Sequence, residues 1–153
     1  MGRDVRYQGA IVRDDQLILI RHRMDADGRT FWIFPGGGIE ARESPEECVR
    51  REMKEETDLD VRVVRLVLDV PEPASDSPYR RLKTYLCEAR RGQAKAGFEP
   101  EIPERAATSY AIVDVKWFDL RDESDWDPEM LCDPFTYPQV QSLRQALGYL
   151  PRS

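Results

Sequence analysis

The sequence predicts an α+β fold, and three observations carry the prediction. Runs rich in β-branched and aromatic residues fill much of the chain, a sharply signalled helix begins at Ser44, and a second helical stretch closes it. At 153 residues the chain is long enough for one domain with a real core and short for two, so residues 1–153 are read as one domain.

Val5 to Arg13 and Leu17 to Arg23 are strand-like, and Asp14-Asp15-Gln16 between them predicts a hairpin. Asp25 to Gly28 marks a loop, and Phe31 to Pro35 a short third strand. Val61 to Val70 predicts another strand. Three prolines between Pro71 and Pro78 break regular structure there. The alternating Arg81 to Ala89 should then pair back across that break. Arg90 to Ser109 is polar and punctuated by Gly and Pro, a length at which loops are commonly functional. Ile112 to Leu120 returns to strand, Asp122 to Asp127 is acidic and irregular, and Pro138 to Leu147 reads as a closing helix with Gly148 as its stop.

The first helix has the clearest start. Ser44 can accept from a free backbone N–H, Pro45 suits the first helical position, and Glu47 sits where a capping box closes. At about 100° per residue, Val49 and Met53 point one way with Cys48 beside them, while Glu52, Glu55 and Glu56 form an adjoining acidic stripe. Like charges at such spacing destabilise a helix by a few tenths of a kcal/mol per pair. A divalent cation would relieve that repulsion, and carboxylate oxygens are hard ligands that suit Mg²⁺. The plainer alternative is a solvated charged face, with Arg51 paired to Glu47 four residues earlier.

Lys plus Arg total 23 against 29 for Asp plus Glu, a net charge of −6, which argues against broad binding to extended nucleic acid. A small phosphorylated ligand escorted by Mg²⁺ stays compatible. No apolar run reaches 18 residues and the first ten residues lack the apolar core of a signal peptide, so no membrane partner and a cytoplasmic location are expected. Cys48, Cys87 and Cys132 are odd in number and far apart, which suggests buried or half-buried thiols rather than a disulfide or metal framework.

Residues Gly37 to Leu59 read GGIEARESPEECVRREMKEETDL: glycine, five residues, Glu43, seven residues, then Arg51-Glu52, Met53, Glu55, Glu56, Asp58 and Leu59. This resembles the Nudix box, with Asp58 where the pattern has glycine. The strand order and the VKWFDL segment also resemble that family. The resemblance implies a mixed sheet sandwiched between helices, an α/β/α layering, and a hydrolase that cleaves a nucleoside diphosphate linked to another moiety. It implies Mg²⁺, with Mn²⁺ as its substitute, held by Glu52, Glu55, Glu56 and the carbonyl of Gly36, with Arg51 and Glu43 orienting the carboxylates. The general base is Glu52 or a glutamate of the long loop, Glu99, Glu101 or Glu104, of which Glu104 is carried forward. His22, the single histidine, reads as a surface or strand-pairing residue rather than the base. Arg21, Arg23, Arg80 and Arg81 are candidate phosphate contacts, since guanidinium forks match phosphate oxygens.

A nucleoside triphosphate is the first expectation for the substrate. ADP-ribose or another nucleotide sugar, a dinucleoside polyphosphate, and a non-catalytic nucleotide-binding role are the alternatives. Many members of the family are dimers, which makes a homodimer an expectation here. Aspartate at position 58 should adopt the left-handed conformation that ends a helix, at a cost of about 1 kcal/mol relative to glycine.

Overall fold

The computed structural model describes residues 4–90, 92–96 and 110–151, Tyr110 through its backbone alone. The predicted hairpin forms from β1 (Val5–Arg13) and β2 (Gln16–Met24). Its loop is only Asp14-Asp15, both with positive φ (52° and 64°), the geometry whose twist matches paired strands. Gln16 belongs to the strand rather than the turn, because two residues already complete that reversal. β3 (Thr30–Ile33) pairs with β2, and β4, just Gly36–Gly37, pairs with β1.

Helix α1 (Pro45–Thr57) leads to β5 (Val61–Pro71) and β6 (Arg81–Ala89), which pair antiparallel across the proline-rich break as expected. β6 then runs parallel to β1 from Val5↔Arg81 to Ile11↔Cys87, which makes the sheet mixed. β7 (Tyr110–Asp119) pairs antiparallel with β2. The order β3-β2-β1-β6-β5, with β4 on β1 and β7 on β2, surrounds the hairpin with later strands.

Strand alternation sends side chains to two cores. Ile11 and Ile18 join Val49, Met53 and Cys48 of α1, whereas Ala10, Leu17 and Leu19 join Trp32, Phe34, Phe118 and Trp126 with residues of the closing helix. Helices therefore cover opposite faces, the α/β/α layering expected from the sequence.

Two further details differ from the sequence reading. A short helix α2 (Pro128–Leu131) lies beyond the irregular acidic stretch, started by the Asp127 carboxylate accepting from Glu129 N and by Pro128 at the first position. The closing helix α3 (Thr136–Ala146) begins two residues ahead of Pro138. The Asp133 carboxylate accepts from Phe135 N and Thr136 N, both at 2.8 Å, so the first turn forms before the proline. Among the described residues no helix is long and apolar enough to cross a membrane.

Candidate functional site

The site grows from the segment between β4 and the first turns of α1. The capping box is complete: Glu47 N donates to Ser44 Oγ at 3.1 Å, and Ser44 N donates to Glu47 Oε1 at 2.8 Å. This commits Glu47 to the helix start, so the pairing of Arg51 with Glu47 does not form. At the other end Asp58 takes φ 61°, ψ 21°, its N–H donates to Lys54 O, and its carboxylate pairs with Lys54 Nζ at 3.4 Å. The left-handed residue stands as expected, with an exposed ion pair beside it.

Arg51 organises the acids. Its guanidinium forks onto Glu43, Nε to Oε2 at 2.6 Å and Nη2 to Oε1 at 3.0 Å. Nη1 donates to Glu52 Oε1 at 2.9 Å and to Glu55 Oε2 at 3.3 Å, and Nη2 also reaches Gly38 O. Glu40 Oε1 lies 3.3 Å from Nε. One guanidinium is thus shared by four carboxylates. The bond to Arg51 holds the Glu43 carboxyl below its ordinary range, and Glu43 in turn raises the Arg51 pKa.

Glu52 and Glu56 are buried, at 2% and 0% exposure, where a carboxylate persists only in a strongly polar setting. Glu56 Oε1 accepts from Gly36 N at 2.7 Å. Gly37 leaves the room that Glu52 fills, since a Cβ there would stand 2.5 Å from Glu52 Oε1. The Cys48 thiol, against Gly37 O and Arg51, is pushed up to about 12 by burial and then by the charge of Glu52, so it stays protonated. Among the described residues no three His, Cys, Asp or Glu side chains form a ready cation cluster. Glu52 and Glu55 converge on Arg51 Nη1, and Glu56 on the Gly36 N–H.

The structure therefore brings Gly36, Glu43, Arg51, Glu52, Glu55 and Glu56 into one cluster. Of the arginines proposed for phosphate, Arg21 and Arg81 are engaged elsewhere, whereas Arg23 and Arg80 are exposed. Arg21 is held by Glu129 and Thr30 and lies beside Trp32, and Arg81 pairs with Asp69. Arg23 sits in the β2 ladder opposite Thr30 and Ala111. Sequence reading passed over Arg50 and Arg90, which line a cavity with Arg51, Asp60 and Val61. They come together through the antiparallel β5–β6 pairing, which sets Ala89 opposite Val61 and lets Arg90 N donate to Asp60 O at 2.8 Å just beyond α1, a long-range contact without a local signal.

His22 is 2% exposed and packs edge-on to Phe31, which removes the surface reading and keeps the strand-pairing one. Burial, then the nearby Arg6 charge, lowers its pKa to about 3, so the imidazole is neutral near pH 7. Cys132 is exposed, unlike Cys48 and Cys87, because it ends α2 at the surface. Glu99, Glu101 and Glu104 lie outside the described residues.

Comparison with known proteins decides what this cluster belongs to. The model of the NUDIX domain family matches residues 5–133, most of the chain and all of the acid cluster. The chain belongs to the Nudix family. A Bacillus subtilis (strain 168) relative named "Putative ADP-ribose pyrophosphatase YjhB" is 37% identical over 100 residues, 63% of this chain and 45% of that protein. The Nudix chain thus spans less than half the length of that relative. An RNA pyrophosphohydrolase of Zymomonas mobilis is 32% identical over 58% of this chain and 57% of its own. Among solved structures, a MutT NUDIX hydrolase from Burkholderia pseudomallei aligns with a TM-score of 0.64 at 26% identity, over 93% of this chain and 96% of that one. An ADP-ribose pyrophosphatase from Streptococcus suis 89-1591 aligns at 0.66 and 22% identity, over 96% and 92%, which bears on the Nudix fold alone.

Proposed function

We propose that this chain hydrolyses a diphosphate linkage in a nucleoside diphosphate derivative, at the face of α1 and with Mg²⁺ or Mn²⁺. The observation that carries the reading is the sharing of Arg51 by four carboxylates, beside Glu52 and Glu56 buried against the glycine segment. The residues fit a hard divalent cation by donor chemistry, since carboxylate oxygens dominate and the missing side chain of Gly37 lets the Glu52 carboxylate lie directly against the glycine segment. Glu52, Glu55, Glu56 and the Gly36 carbonyl would hold it. Bound there, Mg²⁺ would neutralise phosphate oxygens and lower the pKa of a water.

The protein's own groups do the rest. Arg51 keeps Glu52 and Glu55 facing one point, Glu43 anchors Arg51, and the Gly36 N–H fixes Glu56. A carboxylate accepts the proton of the attacking water, either Glu52 or a glutamate of the long loop such as Glu104. Arg50 and Arg90 replace Arg21, Arg23 and Arg81 as the cations offered to phosphate, because they share a cavity with Arg51. The working unit is residues 1–153 as one domain, with a homodimer as its proposed assembly and the cytoplasm as its location.

A nucleoside triphosphate is the first substrate we propose, giving a monophosphate and pyrophosphate. ADP-ribose is the second, favoured by the name of the Bacillus subtilis relative. Chromatography of products from a panel of nucleoside triphosphates, ADP-ribose, other nucleotide sugars and dinucleoside polyphosphates, with and without Mg²⁺, tests both. Metal-dependent release of monophosphate from one class selects the substrate, and binding without turnover across the panel would overturn the hydrolase reading.

A further inference from the structure

We infer that Arg6 is a positioning residue for the acid site: from the opposite face of the sheet it holds the Phe34–Gly36 segment, and through it the N–H that fixes Glu56. The inference rests on the proposed metal-dependent reaction. Arg6 is 6% exposed on β1, and its Nη2 donates to Phe34 O at 2.9 Å. The next carbonyl, Pro35 O, accepts from Gly9 N at 3.0 Å. Gly36 follows, in register with Gln8, and its N–H donates to Glu56 Oε1 at 2.7 Å. Three consecutive residues are therefore tied to Arg6, to Gly9 and to the acid.

Arg6 is itself fixed in place. Its Nε donates to Gln8 Oε1 at 3.1 Å, and Gln8 Nε2 donates to Thr84 Oγ1 at 2.9 Å and to Gln139 Oε1 at 3.2 Å. The Tyr79 ring lies 6.0 Å from its guanidinium carbon. Arg6, Gln8 and Ala10 share one face of β1 by alternation, away from Met53 and α1. Burying a guanidinium is costly, and Ala10 on the same face shows that an apolar residue satisfies packing alone. A planar fork of five donors is suited to hold a neighbouring amide and a loop carbonyl at once. The result is a polar chain from α3 through β1 to the glycine segment.

The test measures Mn²⁺ affinity of the folded protein, well below its melting temperature, by the EPR signal of the free ion. Groups that orient metal-holding residues typically contribute 10- to 100-fold in affinity, so Arg6→Met should weaken Mn²⁺ by about tenfold or more. Arg6→Lys should recover most of that loss, because an ammonium still donates to Phe34 O. In turnover assays kcat should fall and the half-activating Mg²⁺ concentration should rise, with nucleotide KM moving less than about threefold. A purely structural role would lower the melting temperature and leave Mn²⁺ affinity intact, and that result for Arg6→Met overturns the inference. If Arg6→Met fails to fold, Gln8→Met removes the acceptor that orients Nε and should shift Mn²⁺ affinity in the same direction by a smaller factor; wild-type affinity there overturns it equally. Wild-type protein that binds Mn²⁺ yet hydrolyses nothing overturns the proposed activity, and the Arg6→Met affinity still decides the role of Arg6. Wild-type protein that binds no Mn²⁺ overturns both.

Discussion

Arg51 and Arg144 are both largely buried arginines, one on each side of the sheet, and their surroundings differ in kind. Arg144 Nε donates to Leu120 O and its Nη1 to Glu123 Oε2, each at 2.8 Å, while its guanidinium lies 5.2 Å from the Trp126 ring centre. One cation meets one carboxylate inside an aromatic cluster of Trp32, Phe118, Trp126 and Tyr137. Arg51 is shared by four carboxylates beside a glycine segment. A matched pair braces a fold. A guanidinium shared four ways organises acids that a second cation could use, and under the proposed function that difference would separate a structural arginine from one that serves a site.

The largest effect expected from breaking the acid side is on turnover. Glu52→Gln and Glu56→Gln should each lower Mg²⁺-dependent hydrolysis by roughly 10²-fold or more, since charge stabilisation and water positioning are both disturbed. Without divalent cation the same variants should melt no lower than wild type, because one member of a repelling set has become neutral. Undiminished hydrolysis in both would remove these residues from the reaction.

Next in size is the contrast between the two arginines. Arg51→Met and Arg144→Met should each destabilise the fold by about 3 kcal/mol, the scale for breaking a buried pair. Urea melts with and without Mg²⁺ distinguish them: part of the Arg51→Met loss should return with Mg²⁺, and none of the Arg144→Met loss should. Equal responses would erase the comparison.

His22 sharpens it through pH. Its folded pKa is lowered to about 3 from 6.5, so the unfolded chain takes up a proton first as pH falls. The stability tied to its neutral form is complete above pH 6.5 and is lost progressively down to about pH 3, at about 1.4 kcal/mol per pH unit. Between pH 6.5 and about 5 this loss precedes that of Glu43, whose lowered pKa keeps its own contribution until pH falls below the ordinary carboxylate range of about 4.5. His22→Leu should flatten the stability curve in that upper window, and a slope unchanged from wild type would show that another group titrates there.

Asp58→Gly is the smallest expected change. Glycine relieves the left-handed conformation by up to about 1 kcal/mol, and loss of the exposed Lys54 pair offsets a few tenths of that. Activity should stay near wild type. A clear loss of stability in urea melts would mean that the ion pair outweighs the backbone strain.

Local signals made much of this legible. Ser44, Pro45 and Glu47 placed the start of α1, Asp58 its end, and two aspartates the hairpin, because each acts within a few residues of its own backbone. The period-2 run Ile18, Ile20, His22 also held the burial of the histidine, masked by the arginines on either side. Sharing of Arg51 was not legible: Glu43 and Glu40 reach it only once the segment after β4 folds back over the helix. The Arg6–Gln8–Gln139 chain joins residues more than a hundred positions apart and leaves no spacing pattern. Helix α2 was missed although Asp127-Pro128-Glu129 carries its start, because four residues are too few for periodicity.

The most direct test of the claim that the α1 face is built for a cation is a Mg²⁺ titration of the melting temperature without nucleotide, comparing wild type with the Glu52→Gln/Glu56→Gln double variant. A ligand that binds only the folded state raises stability with its concentration. Wild type should rise through the titration, by the equivalent of about 2.7 kcal/mol once Mg²⁺ reaches a hundred times its dissociation constant, and the double variant should lose most of that rise. An equal rise in both proteins would place the cation elsewhere and contradict the account.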